Sequence, residues 1–169
     1  MKDAHQLTRR ARRFLAESML RPYIYQEFPG WGRLYGRFVG GYTSDLDWAD
    51  AGSRRVRGKL HGYVMDLDIA KWSQRSTYFL GRYYDLPTQL LCQAALRVGD
   101  HVVDVGANIG MISLLASAIV GPTGRVDAFE PNPLCAQKIR QTLSRHFEPE
   151  VCSPTRCIGC CLRRVVLCG

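Results

Sequence analysis

The sequence predicts an α/β fold class with a parallel sheet, and three observations support this prediction. A strand–helix–strand–helix pattern occupies residues 101–146. The first strand, "HVVDV", is apolar on both faces, which is typical of a strand that is covered from both sides. The connection between the strands has the length of a helical crossover, and such crossovers join parallel neighbours. At 169 residues the chain is long enough for one domain with a hydrophobic core.

The elements of this pattern follow one another in order. Residues 101–105 form the first strand, residues 109–120 a helix, "GPTG" a turn and "RVDAFE" (125–130) the second strand. The next segment, "PNPLCAQKIRQTLSRHF", predicts a helix, with Asn132 as its cap and Pro133 at its first position. Apolar residues recur along one face of this helix, so we expect it to pack on the sheet.

Upstream of the sheet, the sequence predicts a helix, an irregular segment and a hairpin. Residues 4–20 have helical periodicity, whereas residues 21–42 are rich in glycine and aromatic residues and predict irregular structure. Residues 54–69 alternate between apolar and polar types, which indicates two strands joined by a turn near Gly58 or Gly62.

A further helix precedes the first parallel strand, in the segment "DLPTQLLCQAALRVGD". Asp85 can accept hydrogen bonds from the first turn, and Pro87 is compatible with that turn because its missing N–H would have no partner there.

Composition divides the chain into a basic N-terminal extension (1–53), a partial cofactor-binding domain (54–150) and a cysteine-rich tail (151–169). The net charge is +8, and residues 1–59 hold 12 Lys/Arg against 6 Asp/Glu. The first helix is expected to present a solvated basic face. That face comprises Arg9, Arg10, Arg12 and Arg13. Binding of nucleic acid or of an anionic membrane is the alternative, and no recognised nucleic-acid motif accompanies the charge.

The apolar segments are short. No run approaches the roughly 18 residues that a membrane-spanning helix needs. The basic N-terminus lacks the continuous apolar core of a secretory signal. We therefore expect no transmembrane segment and a cytoplasmic location.

Two carboxylates end the two predicted parallel strands. Asp104 closes the first and Glu130 the second, and the carboxyl ends of parallel strands meet at the edge where ligands bind. The loop "GANIG" follows the first strand. Gly106 and Gly110 permit positive φ angles, and Asn108 is among the few other residues that tolerate them. We expect this loop to form a sparse platform of backbone N–H groups beneath which a ligand can lie flat.

The spacing of the loop favours a cationic adenosine ligand. A dinucleotide fold shows G-x-G-x-x-G, whose amides receive a pyrophosphate. The spacing here is D-x-G-x-N-x-G, and the acid Asp104 would repel a pyrophosphate but suits the sulfonium and ammonium groups of S-adenosylmethionine. Glu130 would accept hydrogen bonds from a ribose diol in either case. An NAD-binding oxidoreductase fragment therefore stays as the competing enzyme class.

The segment "VVDVGANIGMISLLASAIVGPTGRVDAFEPNP" resembles the first half of an FkbM-type methyltransferase domain. Both the D-V-G-A-N-I-G run and the A-F-E-P-N-P run are characteristic of that family, and the resemblance covers about residues 56–146. It implies an S-adenosylmethionine-dependent enzyme with a Rossmann-like class I sheet, here incomplete and preceded by a helical and β-hairpin extension.

The resemblance also implies roles for individual residues. One group would border the methionine portion of the cofactor: Asp104, Gly106, Ala107, Asn108 and Gly110. Glu130 would hold the ribose hydroxyls, while Pro131 and Asn132 would shape the adenine side.

The implied reaction is methyl transfer, most often to an oxygen, with a small-molecule, glycan or lipid-type acceptor that the sequence does not identify. Such a transfer depends on alignment and on the exclusion of water. No catalytic base is assigned. His61, His101 and His146 are candidates by residue type alone; His101 is expected to be structural, and His146 to interact as a cation with the helix dipole.

The tail "EVCSPTRCIGCCLRRVVLCG" does not resemble the family, whose third strand is expected near residue 150 and whose K-I-D-x-E-G run is absent from this chain. Three interpretations stand. Cys157 and Cys160 have zinc-site spacing, with Cys152, Cys161 or Cys168 as further ligands. Alternatively "RRVVLCG" is a strand beside the second strand. The favoured interpretation is translation in a shifted frame or a broken gene, so that the domain is truncated.

This interpretation bears on activity. A truncated sheet is expected to bind the cofactor weakly and to turn over little, and a non-catalytic methyltransferase-like remnant is the alternative function.

Overall fold

The computed structural model describes residues 2–146 and 165–168, and the chain forms two compact units. The first, the N-terminal unit, comprises Met1–Val56 and Asp66–Tyr84. The second, the sheet unit, comprises Arg57–Met65 and Asp85–Gly169. The boundaries between the units fall within the predicted hairpin, and the segment Asp66–Tyr84 belongs to the N-terminal unit.

Helices and strands alternate as predicted in the second half of the chain. The helices are α1 (Lys2–Leu15), α2 (Arg21–Tyr25), α3 (Trp31–Leu34), α4 (Asp45–Trp48), α5 (Trp72–Leu80), α6 (Leu86–Ala95), α7 (Met111–Val120) and α8 (Pro133–His146). The strands are β1 (Ser53–Arg57), β2 (Val64–Asp68), β3 (His101–Val105), β4 (Arg125–Phe129) and β5 (Val165–Cys168). The described chain is therefore mixed α/β with two small sheets, β1-β2 and β3-β4-β5.

The N-terminal unit is more helical than the sequence predicts. The segment 21–42, expected to be irregular, contains α2, α3 and a π-helical turn at Tyr35–Val39. Aromatic packing supplies the reason, because Phe79 makes edge-to-face contacts with Tyr35 and with the buried Trp48. Tertiary contacts of this kind override weak local preferences.

The basic face of α1 is not simply solvated. Arg9 pairs with Asp47 at 3.1 Å and Arg13 with Asp50 at 2.6 Å, while Arg12 donates to the Phe38 carbonyl oxygen. Arg9 and Arg10 are exposed, as expected of a solvated face, whereas the Arg13 side chain is largely buried against its acidic partner. The acids at and after α4 are partners that sequence spacing alone does not reveal.

Arg75 is a buried charged residue that forms several hydrogen bonds within the N-terminal unit. Its guanidinium is fully buried and donates to the carbonyl oxygens of Gly41, Ile69 and Ala70 and to the Asp45 carboxylate. A buried cation requires such partners. Arg75 therefore joins α5 to the segments before β1 and after β2.

The sheet unit contains a parallel sheet in the order β3-β4-β5. His101 to Val105 align with Arg125 to Phe129, and Val126 to Phe129 align with Val165 to Cys168. Residues 165–168 thus form a strand beside the second strand, as one interpretation of the tail predicts. The other tail cysteines lie outside the described residues: Cys152, Cys157, Cys160 and Cys161.

The two faces of this sheet differ in exposure. Val102 and the buried Val126 face α7, where they pack with Ala116 and Val120. On the opposite face Val103 is 55% exposed and Val105 80% exposed. The expectation that β3 is covered on both faces is therefore wrong for this face.

Within the part of the chain that the structure describes, every helix is too short or too polar to cross a membrane.

Candidate functional site

The loop after β3 adopts the left-handed geometry that its sequence predicts. Gly106, Asn108 and Gly110 have φ angles of +81°, +53° and +85°. Gly110 precedes the first residue of α7, and a Cβ at this position would lie 3.1 Å from Cγ1 of Ile139 in α8. The prediction of positive φ angles is confirmed, and Gly110 also allows the loop to pack closely against α8.

The backbone amides of this loop are already used inside the protein. The Gly106 and Ala107 amides donate to the carbonyl oxygen of Phe129 at 2.8 and 3.1 Å. The Gly110 amide donates to the Ala107 carbonyl oxygen, and the Asn108 amide to Oε2 of Glu130 at 2.7 Å. The expected platform of free N–H groups is therefore wrong at these four positions, because the loop closes on the end of β4.

Glu130 fastens the loop to the turn that follows β4. Its Oε2 accepts from the Asn108 amide, and its Oε1 accepts from the Asn132 amide at 2.8 Å. The side chain is buried, with 8% exposure, while Pro131 and Asn132 are exposed beside it. Each carboxylate oxygen can accept a further hydrogen bond. Glu130 is thus held in one orientation with acceptor capacity to spare.

Asp104 is half-buried at the end of β3, and its Oδ2 accepts from Oγ of Ser113 at 2.5 Å. Among the side chains that the structure describes, no lysine, arginine or histidine pairs with it. Burial and, to a smaller extent, the charge of Asp104 raise the pKa of the Cys92 thiol on α6. Asp104 is therefore a carboxylate without a cationic partner at the loop.

Sequence reasoning did not identify Ser113. It is a fully buried hydroxyl in the largely apolar helix "MISLLASAIV", which also carries the buried Ser117. A hydroxyl on the buried face of an apolar helix is a signal that a polar partner lies opposite, since unpaired buried hydroxyls are costly.

Asn132 caps α8 as predicted, since its Oδ1 accepts from the Leu134 amide at 3.0 Å. The first turn of α8 also approaches the loop, where Cys135 Sγ lies 3.6 Å from Oδ1 of Asn108. The structure therefore brings the predicted site residues together in the loop after β3 and in the turn after β4.

His101 lies at the opposite end of β3 from this loop. Its Nε2 is 2.7 Å from Oδ2 of Asp127, which also receives Arg125. Burial raises the pKa of Asp127, but the hydrogen bonds from Arg125 and His101 outweigh burial and the net pKa lies below its ordinary value. The role of His101 in the structure is to join two strands.

His61 and His146 meet at Tyr63. Nε2 of His146 lies 2.8 Å from the Val64 amide nitrogen and 3.2 Å from the Val64 carbonyl oxygen. His146 therefore contacts the backbone of the segment that enters β2, and its interaction with the helix dipole stays a prediction. His61 is buried against Gly58, and burial, followed by the charge of His146, lowers its pKa to about 4.

No group of three or more His, Cys, Asp or Glu side chains suited to a metal ion occurs among the described residues. The polar groups at the loop are carboxylates and amides, which suit an organic ligand with cationic and hydroxyl groups. Comparison of the chain with models of known protein families and with curated proteins finds no match.

Proposed function

We propose that the chain binds S-adenosylmethionine and is a methyltransferase of the type that its loop and strand-end motifs resemble. The observation that carries the proposal is Asp104, a half-buried carboxylate that lacks a basic partner among the described side chains and lies at the end of a parallel strand. A carboxylate in this position favours a cationic ligand group.

The backbone amides of the loop argue against a dinucleotide ligand, because they already donate hydrogen bonds within the protein. A pyrophosphate needs free N–H groups at the loop and the helix N-terminus. Gly106, Ala107, Asn108 and Gly110 all donate within the protein, so these donors are committed. The loop offers a ligand its glycine surfaces and two carboxylates, which disfavours the NAD-binding alternative.

Glu130 is suited to a ribose diol. The Asn108 and Asn132 amides fix the carboxylate, and the remaining lone pairs can accept two hydroxyl groups. Pro131 and Asn132 are exposed next to it and would border the adenine.

The cofactor, when bound, supplies a methyl group on a sulfonium sulfur, and we propose transfer to an acceptor oxygen of a small molecule, glycan or lipid-type compound. The chain's own residues bind and orient the cofactor. Asp104 binds its cationic end, and Glu130 binds its ribose. The three histidines each have another structural contact, so none is proposed as the base.

A titration of the full chain with S-adenosylhomocysteine tests the binding proposal. Asp104→Ala and Glu130→Ala should each abolish the heat of binding. Asp100→Ala is the matched control, because Asp100 flanks the amino end of the same strand and its carboxylate accepts from the Arg97 amide. Heat with NAD but not with S-adenosylhomocysteine, or equal binding by all variants, would contradict the proposal.

Cofactor binding without turnover is the second candidate. The exposed Val103 and Val105 favour it, because a sheet that is open on one face encloses a reaction less completely. Incubation with radiolabelled S-adenosylmethionine and oxygen acceptors separates the two candidates, since turnover of any acceptor supports the enzyme.

We further propose a cytoplasmic location. The free thiols of Cys92 and Cys135 are compatible with a reducing compartment.

A further inference from the structure

The hydroxyls of Ser113 and Ser117 on α7 contact side chains outside their helix, those of Asp104 and Tyr63. Three other helix hydroxyls bond to the backbone of their own helix instead. Ser76 and Thr77 both donate to the Ser73 carbonyl oxygen, and Ser144 donates to the Gln141 carbonyl oxygen. Such bonds to the preceding turn are the usual way in which a helix satisfies a hydroxyl group. Ser113 instead donates to a side chain on another element, Oδ2 of Asp104.

The contact fixes the orientation of the Asp104 carboxylate. A half-buried carboxylate without a cationic partner can rotate about its terminal bond, which has a broad energy profile. The hydrogen bond from a fully buried donor holds Oδ2 toward α7. Oδ1 is then the oxygen that has no described protein donor.

We infer that Ser113 is a positioning residue that aims the free oxygen of Asp104 at the cationic amino-acid end of the ligand, so that this residue sets the preference for ligands that carry an ammonium group. The inference rests on the proposed function. It deepens that function because it assigns ligand discrimination to a residue that does not itself contact the ligand.

Two adenosine ligands separate positioning from general stability. S-adenosylhomocysteine carries the ammonium group, whereas 5′-methylthioadenosine lacks the amino-acid portion. In the full chain, Ser113→Ala should weaken S-adenosylhomocysteine binding by about tenfold, the size expected for a lost hydrogen bond to a charged group. Binding of 5′-methylthioadenosine should change by less than about twofold, since the ribose and adenine side is unaltered.

Ser117 provides a matched control on the same helix. It is also buried, and its hydroxyl lies 3.5 Å from that of Tyr63 rather than at the loop. Ser117→Ala should leave the ratio of the two affinities unchanged. Ser113→Thr keeps the hydroxyl and should retain most of the preference.

The outcomes are distinguishable. If Ser113→Ala weakens the binding of both ligands equally, the serine has a structural role and the inference is overturned. If Ser113→Ala changes neither affinity, the inference is also overturned. Both outcomes leave the proposed function intact. If the unaltered chain binds neither ligand, the proposed function fails and the inference fails with it.

Discussion

Gly110 satisfies two constraints at one position. Its φ of +85° strains any residue with a Cβ, and a Cβ there would also press on Ile139. Gly106 has a similar φ of +81°, yet a Cβ at Gly106 would meet no described atom within 4 Å. Comparing alanine substitutions at Gly106 and Gly110 therefore distinguishes the cost of backbone strain from the cost of the packing contact.

We expect Gly106→Ala to lower the free energy of unfolding by roughly 1 kcal/mol, the cost of left-handed geometry for alanine. Gly110→Ala should cost more, about 2–3 kcal/mol, because Ile139 must also shift. Chemical denaturation of both variants measures the difference. Equal losses would show that the contact between Gly110 and α8 is unimportant.

Because of the buried His61, we expect the free energy of unfolding of the sheet unit to fall in acid. Burial lowers its pKa from 6.5 to about 4. Its Nδ1 accepts from the Tyr63 amide, and its Nε2 has no described partner, so protonation would add a charge in a buried place. Because the folded pKa is depressed, the stabilisation is complete above pH 6.5 and is lost as the pH falls towards 4.

The loss between pH 6.5 and 4 should amount to about 3 kcal/mol, because the folded pKa is about 4 and the ordinary value is 6.5. Urea denaturation of the full chain at several pH values between 4 and 7 measures it. In His61→Gln, which cannot titrate, the pH dependence should shrink. An unchanged slope in the variant would contradict the assignment.

Residues with a restricted conformation were the most predictable. The positive φ of Asn108 and the cap at Asn132 follow from local chemistry, and the structure confirms both. The partners of Ser113 and His146 were not predictable, because they lie on elements that only the fold brings near. The Val64–His146 contact spans 82 positions, and no local pattern encodes it.

At the scale of elements, β3 and β4 are joined at their amino ends by side chains as well as by the ladder. Asp127 on β4 receives both Arg125 and His101. Asp127 is buried, whereas 53% of the His101 side chain is exposed. The carboxylate is therefore the critical member of this group.

Asp127→Asn should lower the free energy of unfolding by about 1–2 kcal/mol, since it weakens two charge-assisted hydrogen bonds. His101→Ala should cost less than about 0.5 kcal/mol, because exposed pairs contribute little. Thermal melting compares the two. A larger loss in His101→Ala would show that the histidine, rather than the acid, organises this end of the sheet.

Elements with strong periodicity were predicted correctly, while the aromatic-rich segment was not. β3, β4, α7 and α8 lie where the alternation of apolar strands and amphipathic helices places them. The π-helical turn at Tyr35–Val39 and α4 make ring contacts with Phe79 of α5, and these long-range contacts cannot be predicted from glycine and aromatic content alone.

At the scale of the whole molecule, the sheet unit presents apolar residues to solvent. Val103 and Val105 lie on the open face of β3, and Leu90 and Leu91 on α6 are 52% and 67% exposed. Exposed apolar surface of this kind favours association and dye binding.

The double variant Val103→Thr/Val105→Thr should bind less of a hydrophobic fluorescent dye and should aggregate less on concentration, with little change in melting temperature. Threonine retains the strand preference of valine while reducing apolar surface. Light scattering and dye fluorescence measure both effects. Unaltered dye binding would place the responsible surface elsewhere in the chain.

Glu130 has a kinetic consequence. Its two oxygens are already anchored by amides of neighbouring segments, so binding of the proposed nucleoside ligand would need no rearrangement of this side chain. Observed association rates in a rapid-mixing experiment should then rise linearly with nucleoside concentration and reach no plateau.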